Sequence, residues 1–506
     1  MVIHAEPGID ILRSLNSRFF AATIAMPSAH PPVQPMAQPA FTEWAAARLP
    51  PAPARLLLLG EFADEACAAL RARGYQAVLL QWRDRAYQAL PSAGPNGELL
   101  QVRLDELATA GDQFDAVLAQ DLAADIHPLA LFDEIDRVMA LKGVVLLDGA
   151  GAPFSWMDYF EALALRCGFT PKVDSDDLAS DGPPWVLRRA PVKPRWQVGH
   201  VLPQNFPEIA ALFQEVFSHP LSRELWEWKY GSGRGNAVAA RKDGNMVAHY
   251  GGMYRDILVG GRPERVAQIC VVMVHSHERG VLTRQGPFFL MGTSWPEVYG
   301  PLGFGFPTRR AMHVAEKMGL YTQVGQMAEV RWQPASARLR LGTRVRTLVR
   351  GQAADGLLVQ PLWDAMAHDL QSSAVGVKNW EFLERRYFSH PHNHYEVLLV
   401  TARLSGKPLG VIVMRRLENS CELLDLIGPL SSLALLIDQA RRMTSRWALP
   451  HLYCWITTNH MQRFIDCGGT QKALDLSIPA SSWTQNPRSE LFKHKWWLMA
   501  GDTDFR

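Results

Sequence analysis

The sequence predicts one doubly wound α/β domain followed by two α+β domains with mixed sheets. Between residues 51 and 192, apolar strand segments alternate with amphipathic helical segments, which is typical of a buried parallel sheet covered by helices. Beyond a linker at residues 191–196, two amphipathic helices precede short strands that are joined by glycine-bearing turns. The last third of the chain repeats that second plan, so we expect a degenerate second copy of the same domain.

Four segments follow from these patterns. The length of 506 residues suits roughly two to four domains at about 150 residues each. Residues 1–50 are predicted to be an N-terminal arm and a linker rich in proline and alanine, because the prolines of 27–53 favour an extended chain. We place the α/β domain at 51–192 and the two α+β domains at 197–350 and 375–506.

The α/β domain begins abruptly with a strand of consecutive leucines. Two of its helices end at Gly74 and Gly143, since glycine tolerates the left-handed conformation in which many helices stop. The predicted order is strand 55–60, helix 63–74, strand 76–82, strand 114–121, helix 128–142, strand 144–151, helix 157–169 and strand 183–190.

The first α+β domain begins with two helices, at 206–217 and 221–230. We interpret the aromatic residues of the second helix as core-packing side chains, because they recur at helical spacing. A meander of short strands follows, in which residues 243–245 and 260–261 carry hairpin turn signals.

The second α+β domain is predicted from repetition. Residues 380–387 repeat the aromatic and charged pattern of 226–230, and each of these segments is followed by a strand, a turn and another strand. A helix at 432–448, a strand at 451–458 and a helix beginning at Met461 complete the copy. One supersecondary plan therefore occurs twice in the chain.

An anion cradle is predicted where the apolar run 269–274 stops at His275. The loop that follows carries arginines and glycines, and a helix opens at Pro287. Free backbone N–H groups and the positive end of the helix dipole then point at one place, which suits a pyrophosphate group. The second copy has no counterpart of this cationic turn at 427–430.

Residues 197 to about 335 resemble the GNAT acyltransferases. In that family a long fourth strand ends in a turn of the form Arg/Gln-x-x-Gly-x-Gly/Ala, which caps a helix and holds the pyrophosphate of coenzyme A. Here the segments 271–280 and 284–289 match the strand end and the turn in outline, with residues 281–283 lengthening the turn. Residues 303–321 resemble the family's fifth strand and following helix. A tandem second half also occurs in this superfamily.

The resemblance implies that the chain uses acetyl-CoA or another acyl-CoA. Strand backbone would pair with the pantetheine amides, and N–H groups of the turn would hold the pyrophosphate. The implied binding residues are Val272, Met273, Val274, Arg279, Gly280, Arg284, Gln285 and Gly286. The alternative is an ordinary strand–turn–helix connection with solvated arginines.

Direct acyl transfer needs a base that removes a proton from the attacking group and an acid that protonates the leaving thiolate. His275 and Glu278 stand at the strand end, near the expected path of the thioester, and are our candidate bases. Tyr321 follows the helix after the fifth strand and is our candidate acid, because phenols and thiols ionise in a similar pH range. Taken singly, each such residue is more often an ordinary core or surface side chain.

Residues 51–192 resemble the Rossmann-like class I methyltransferases that use S-adenosylmethionine. The segments 114–151 and 167–169 carry this likeness. The family's first loop has several glycines that let the backbone approach the cofactor, whereas residues 58–63 hold one glycine and a phenylalanine. The second strand ends at 81–82 without the family's acidic residue. We therefore expect a methyltransferase-like fold with an eroded site, and S-adenosylmethionine is not expected as a cofactor.

Bulk properties argue against several other classes. A net charge of +2, from 52 basic and 50 acidic residues, speaks against a dedicated nucleic-acid binder. The six cysteines show no CxxC spacing, so we expect neither a zinc site nor a disulfide framework, and the histidines at 390–394 are interpreted as a polar loop rather than a metal site. The sequence has no uninterrupted apolar run of about 18 residues, and we predict no transmembrane segment.

These observations together predict a cytoplasmic N-acyltransferase of the N-acetyltransferase type. The acceptor would be an amine-bearing small molecule, a sugar or a protein. Two alternatives remain open: a bifunctional methyltransferase and acyltransferase, and a non-catalytic binding protein built from both folds. The sequence leaves the acceptor, the acyl chain length and the oligomeric state undetermined.

Overall fold

The computed structural model describes residues 37–60, 62, 64–83, 86–89, 114–120, 128–148, 160–171, 184–190, 194–279, 286–299, 302–338, 340–483, 489–503 and 505. The chain divides into two compact units. The first comprises Met1–Leu202 and Val238–Val247, and the second comprises Pro203–Ala237 and Ala248–Arg506. Most of the predicted N-terminal arm lies outside the described residues.

The first unit is built around a mixed sheet. Its described elements are α1 (Gln38–Ala46), β1 (Arg55–Gly60), α2 (Asp64–Ala72), β2 (Gln76–Arg83), β3 (Ala86–Ala89), β4 (Phe114–Gln120), α3 (Pro128–Val138), β5 (Met139–Asp148), α4 (Phe160–Arg166), β6 (Phe169–Pro171), β7 (Trp185–Arg189) and β8 (Gln197–His200). The strand order is β3-β2-β1-β4-β5-β7-β6. The pairs among β2, β1, β4 and β5 are parallel, whereas β3 and β7 run antiparallel to their neighbours.

The centre of this sheet follows from the apolar runs. Leu56, Leu57, Leu58 and Leu59 are all buried, as are the corresponding residues of β4 and β5. A strand covered on both faces has no need for polar alternation, so a continuous apolar segment is the expected sequence. The alternation of strands and helices agrees with the sequence analysis, while the likeness to methyltransferases stays a prediction.

Part of the segment that we assigned to a linker is helical. Helix α1 places Phe41 and Ala45 on one face, four residues apart, and both side chains are buried. The ring of Phe41 lies 6.2 Å from that of Phe62. Apolar contact with the α/β unit therefore orders these residues, with Pro39 in the first turn of the helix.

The second unit contains two sheets. From Phe206 onward the elements are α5 (Phe206–Phe217), α6 (Arg223–Tyr230), β9 (Gly235–Lys242), β10 (Asn245–Val259), β11 (Arg262–Val274), α7 (Pro287–Tyr299), β12 (Gly303–Phe304), α8 (Arg309–Met318), β13 (Tyr321–Trp332), β14 (Thr343–Thr347), α9 (Ala353–Asp369), β15 (Ala374–Gly376), α10 (Trp380–Leu383), β16 (Glu396–Ala402), β17 (Pro408–Leu417), β18 (Ser420–Ile427), α11 (Leu433–Arg446), β19 (Leu452–Thr457), α12 (Met461–Ile465), β20 (Thr470–Ser481) and β21 (Trp496–Trp497). Of these, the segment Val238–Val247, with most of β9 and the start of β10, belongs to the first unit. None of the described helices in either unit is both long and apolar enough to span a bilayer.

The two sheets of this unit exchange strands. The first has the path β12-β11-β10-β15-β21, and the second has the order β14-β16-β17-β18-β19-β13-β20. Strands β15 and β21, which lie in the predicted 375–506 domain or just before it, thus extend the sheet of the first copy, where Ile257 pairs with Gly376. Strand β13, from the predicted 197–350 domain, lies between β19 and β20 of the other sheet. Most of both predicted α+β domains therefore lies in one compact unit.

Candidate active site

The central feature of the candidate site is a divergence of two parallel strands. Strand β12 pairs with β11 at two positions, Ala267 with Gly303 and Gln268 with Phe304. Beyond Gln268, β11 continues to Val274, and no other described strand pairs with that edge. The backbone of this stretch therefore has groups that can pair with an extended ligand, and we call the space beside this edge the cleft.

A bulge interrupts β11 within the diverging stretch. His249 lies opposite Met273 and Gly251 lies opposite Cys270, so two residues of β11 face the single residue Tyr250. One of the two, Val271, has a φ of 53°, which is uncommon for a β-branched residue. Bulges of this kind re-aim a strand and its side chains.

The described part of the predicted coenzyme A turn surrounds the end of β11. Met273 is buried, while Val272 and Val274 are half-buried. The exposed Arg279 folds back, and its Nε donates to the carbonyl oxygen of Val274 at 2.7 Å. The carbonyl of Gly286, immediately before α7, accepts the N–H of Leu290 at 3.0 Å and so begins the helix. Three further predicted residues lie outside the described residues: Gly280, Arg284 and Gln285.

His275, a predicted base, caps a short helical turn at the strand end. Its Nδ1 accepts the N–H of His277 at the 3₁₀ turn Ser276–Glu278. Its Nε2 lies 2.8 Å from a carboxylate oxygen of Glu215 on α5. Both ring nitrogens are therefore engaged in fixing the strand end.

Glu215 completes this cap from the neighbouring helix. Burial raises the pKa of Glu215, but hydrogen bonds from the N–H and hydroxyl groups of Ser276, together with the charges of His275 and Arg279, outweigh that effect and hold the pKa below its ordinary value. The carboxylate therefore stays ionised and holds the strand end in place. Glu278, the other predicted base, is buried beside this cap.

Tyr321, the predicted acid, lies at a different place, beside the point where β11 and β12 part. It opens β13, and its hydroxyl group is hydrogen-bonded to that of Tyr250 on β10. Burial raises the pKa of both phenols. A small cavity adjoins the pair and is lined by Tyr250, Ile269, Trp295, Pro296, Gly303, Phe304, Tyr321, Pro479 and Ser481.

The structure therefore brings Tyr321 to the cleft and groups His275 with Glu215 at the strand end. The catalytic roles of these residues stay predictions. Sequence reasoning missed the pairing of Tyr250 with Tyr321. A signal was present in the two glycines that follow Tyr250, since a Cβ at Gly252 would lie 2.5 Å from the ring of Trp295. Adjacent glycines in a strand mark places where other groups approach the backbone closely.

The second copy has a corresponding divergence, and it is filled. Strands β18 and β19 run parallel from Cys421 to Leu423 and then separate. Residues 496–503 occupy the gap, where Met499 forms a bridge with Ile456 and Asp502 is bound by the buried Lys378. The described part of the second copy therefore has no open cleft at this position.

The chain is similar to GNAT proteins in one sequence comparison and in fold comparisons. The family model of the acetyltransferase (GNAT) domain matches residues 200–286. A conserved protein of unknown function from Enterococcus faecalis V583, described as a probable N-acyltransferase, aligns with a TM-score of 0.45 and 12% identity, covering 57% of this chain and 73% of that one.

Two further solved structures align at comparable levels. A GCN5-related N-acetyltransferase from Kribbella flavida has a TM-score of 0.41 and 14% identity, covering 56% of this chain and 69% of that one. Saccharomyces cerevisiae N-myristoyltransferase with bound myristoyl-CoA has a TM-score of 0.40 and 12% identity, covering 62% and 83% respectively. No curated protein sequence matches the chain. The similarity to the GNAT acetyltransferase domain thus falls on the segment that runs from the end of β8 through β11 to the glycine before α7.

Proposed function

We propose that the chain is an acyl-CoA-dependent N-acyltransferase whose reaction takes place between β11 and β12. The observation that carries the proposal is the parting of these strands beside the paired hydroxyl groups of Tyr250 and Tyr321. The match to the GNAT domain includes β10 and β11, which supports placing the cosubstrate there. The filled gap in the second copy supports a single reaction centre.

The cosubstrate would lie along the free edge of β11. Backbone groups of Val272, Met273 and Val274 would pair with the pantetheine amides, since this edge has no described strand partner. Its pyrophosphate would meet Arg279 and the N-terminus of α7, where N–H groups and the helix dipole favour an anion. Gly280, Arg284, Gln285 and Gly286 complete the proposed binding residues.

The proposed chemistry is direct transfer. The nitrogen of an amine acceptor attacks the thioester carbonyl carbon, a C–N bond forms, and the C–S bond breaks. Tyr321 donates its proton to the leaving sulfur, and its partner Tyr250 holds the phenol in place. The proton that the amine loses would pass to water, and the base roles of His275 and Glu278 stay predictions. Amine-bearing small molecules, amino sugars and protein amines all fit this chemistry.

Binding is the first test of the proposal. Saturating acetyl-CoA, or a longer acyl-CoA, should stabilise the protein by about 2.7 kcal/mol when the ligand concentration is 100 times its Kd. Differential scanning fluorimetry measures this as a rise in melting temperature. The double substitution Arg279→Glu and Arg284→Glu should abolish the rise, because it places two carboxylates against the pyrophosphate.

A matched control is the same arginine-to-glutamate substitution at an exposed position away from the proposed site. Arg344 is exposed on β14, and Arg344→Glu should leave the response to acyl-CoA unchanged. Circular dichroism establishes that each variant keeps the parental secondary structure. If the double variant still responds as the parent does, the pyrophosphate assignment is wrong, and if the parent responds to no acyl-CoA of any chain length, the proposed function is wrong.

A further inference from the structure

His249 is a buried polar side chain in the sheet that forms the cleft. It lies on β10 opposite Met273, and its exposed fraction is 0%. Its Nδ1 donates to the carbonyl oxygen of Val271 at 2.8 Å. This hydrogen bond assigns the proton to Nδ1 and leaves a lone pair on Nε2.

The hydrogen bond ends on the bulge residue. Val271 is one of the two β11 residues that face Tyr250, and it is the one with a φ of 53°. A β-branched residue in the left-handed region is strained and persists only when its surroundings hold it there. The imidazole of His249 is one such support, because it binds the carbonyl of that same residue.

The other ring nitrogen adds to the argument. Nε2 of His249 is buried, and no residue that the structure describes forms a hydrogen bond with it. An unpaired buried polar atom costs stability, so a leucine would fit this position at less cost. Groups that break the rules of core packing in this way concentrate at functional sites.

The burial of His249 also defines what it can do. The ring is enclosed, with Tyr230 packed edge-on at 6.2 Å, so an acceptor amine cannot reach it. Burial lowers the pKa of His249 to about 4, an effect that the charge of Lys229 adds to and the hydrogen bond to Val271 only partly offsets. The imidazole is therefore neutral at ordinary pH and acts through the backbone that it binds.

We propose that His249 is a positioning residue that holds the bulge of β11 and thereby aligns residues 271–274 with the acyl group of the cosubstrate. This inference rests on the proposed function, since it assigns the last residues of β11 to acyl-CoA. One hydrogen bond thus links a buried side chain of β10 to the β11 backbone beside the cleft.

Two amide substitutions separate positioning from simple packing. In His249→Asn the side-chain amide can place an N–H donor where Nδ1 stands, whereas in His249→Gln the amide reaches the position of Nε2. Loss of alignment by about 1 Å can cost about a hundredfold in rate. We therefore expect His249→Gln to lower kcat by about that factor with a smaller change in KM, and His249→Asn to keep kcat close to the parental value.

Amide hydrogen exchange in the ligand-free protein provides a readout that does not depend on activity. Residues 272–274 should exchange faster in His249→Gln and at the parental rate in His249→Asn. Equal exchange rates in parent and His249→Gln would overturn the inference, whatever the activity. So would equal losses of kcat in the two variants. A parent that exchanges as expected but neither binds nor uses acyl-CoA would instead refute the proposed function and, with it, the catalytic part of the inference.

Discussion

Lys378→Met is expected to lower the free energy of unfolding by about 3–5 kcal/mol, because it leaves buried carboxylates without their cation. The ammonium of Lys378 lies 2.7 Å from Asp425 Oδ1 and 3.0 Å from Asp502 Oδ1, and all three side chains are at most 1% exposed. Urea unfolding followed by circular dichroism measures the change. The loss should fall on the second unit, which contains all three residues.

Two control variants test the cause of this loss. Lys407 is exposed in the turn between β16 and β17, so Lys407→Met should change the free energy of unfolding by less than about 0.5 kcal/mol. Combining Lys378→Met with Asp425→Asn and Asp502→Asn removes the unpaired charges and should recover part of the stability. If Lys378→Met is no more destabilising than Lys407→Met, the buried cluster has no stabilising role.

The cluster of Lys378, Asp425 and Asp502 also predicts how the stability of Lys378→Met changes with pH. Burial raises the pKa of Asp425, although Lys378 opposes that effect. Without the lysine the folded protein should bind a proton at Asp425 more readily than the unfolded chain does. A carboxyl whose pKa is raised on folding destabilises the folded state above that pKa, and the penalty disappears as the pH falls. The stability deficit of Lys378→Met should therefore shrink on acidification.

Tyr321→Phe is expected to lower kcat by about 10²–10⁴, the usual contribution of a general acid, if this phenol protonates the leaving thiolate. Release of free coenzyme A in the presence of an amine acceptor measures the rate. Tyr250→Phe should have a smaller effect, because it removes only the partner of the acid. Equal kcat values for Tyr321→Phe and the parent would exclude the proposed role.

At the Tyr250–Tyr321 pair, the effect of a substitution on stability can be distinguished from its effect on catalysis. Each single substitution leaves a buried hydroxyl group without its partner and should cost about 1–3 kcal/mol. The double substitution removes both hydroxyl groups and should be closer to the parent in stability. It should nevertheless be as inactive as Tyr321→Phe. A double variant that regains activity would show that the single changes act through stability alone.

The pH profile offers another check on Tyr321. Burial raises the pKa of this phenol above the ordinary value of 10.0, and the hydrogen bond with Tyr250 lowers it only in part. The acid form therefore persists to higher pH than in a solvent-exposed tyrosine. We expect kcat to show no loss of the acid near pH 10.0 while the fold remains intact.

The sequence predicts strands best where burial is complete. Strands β1 and β4 were both recognisable from continuous apolar runs, because a covered strand has no polar face. Strands β15 and β21 are three and two residues long and have no local pattern. Their pairing is decided by contacts between residues such as Ala374 and Trp496, which are far apart in the chain. Helix α9 was also missed, in a stretch that we left between domains.

In the candidate site, too, local sequence pattern predicted some residues, while others are decided by contacts between distant parts of the chain. Tyr321 was found from its place after a predicted helix, and the structure puts it at the cleft. Its partner Tyr250 belongs to β10, 71 residues earlier, and no spacing rule connects the two. His275 was chosen for its place at the strand end. Its carboxylate partner Glu215 comes from α5, which only the folded chain brings near.

The exchange of strands has a consequence for inheritance. A gene segment that recombination moves encodes a stable protein part only when that part can fold by itself. A crossover near residues 350–375 would separate β10 from β15 and β21, and would leave β13 without β19 and β20. Such a fragment would expose an unpaired sheet edge, which invites aggregation. The regions that encode the two copies should therefore be inherited together. A substitution in a shared strand should be tolerated only where the paired strand of the other copy accommodates it.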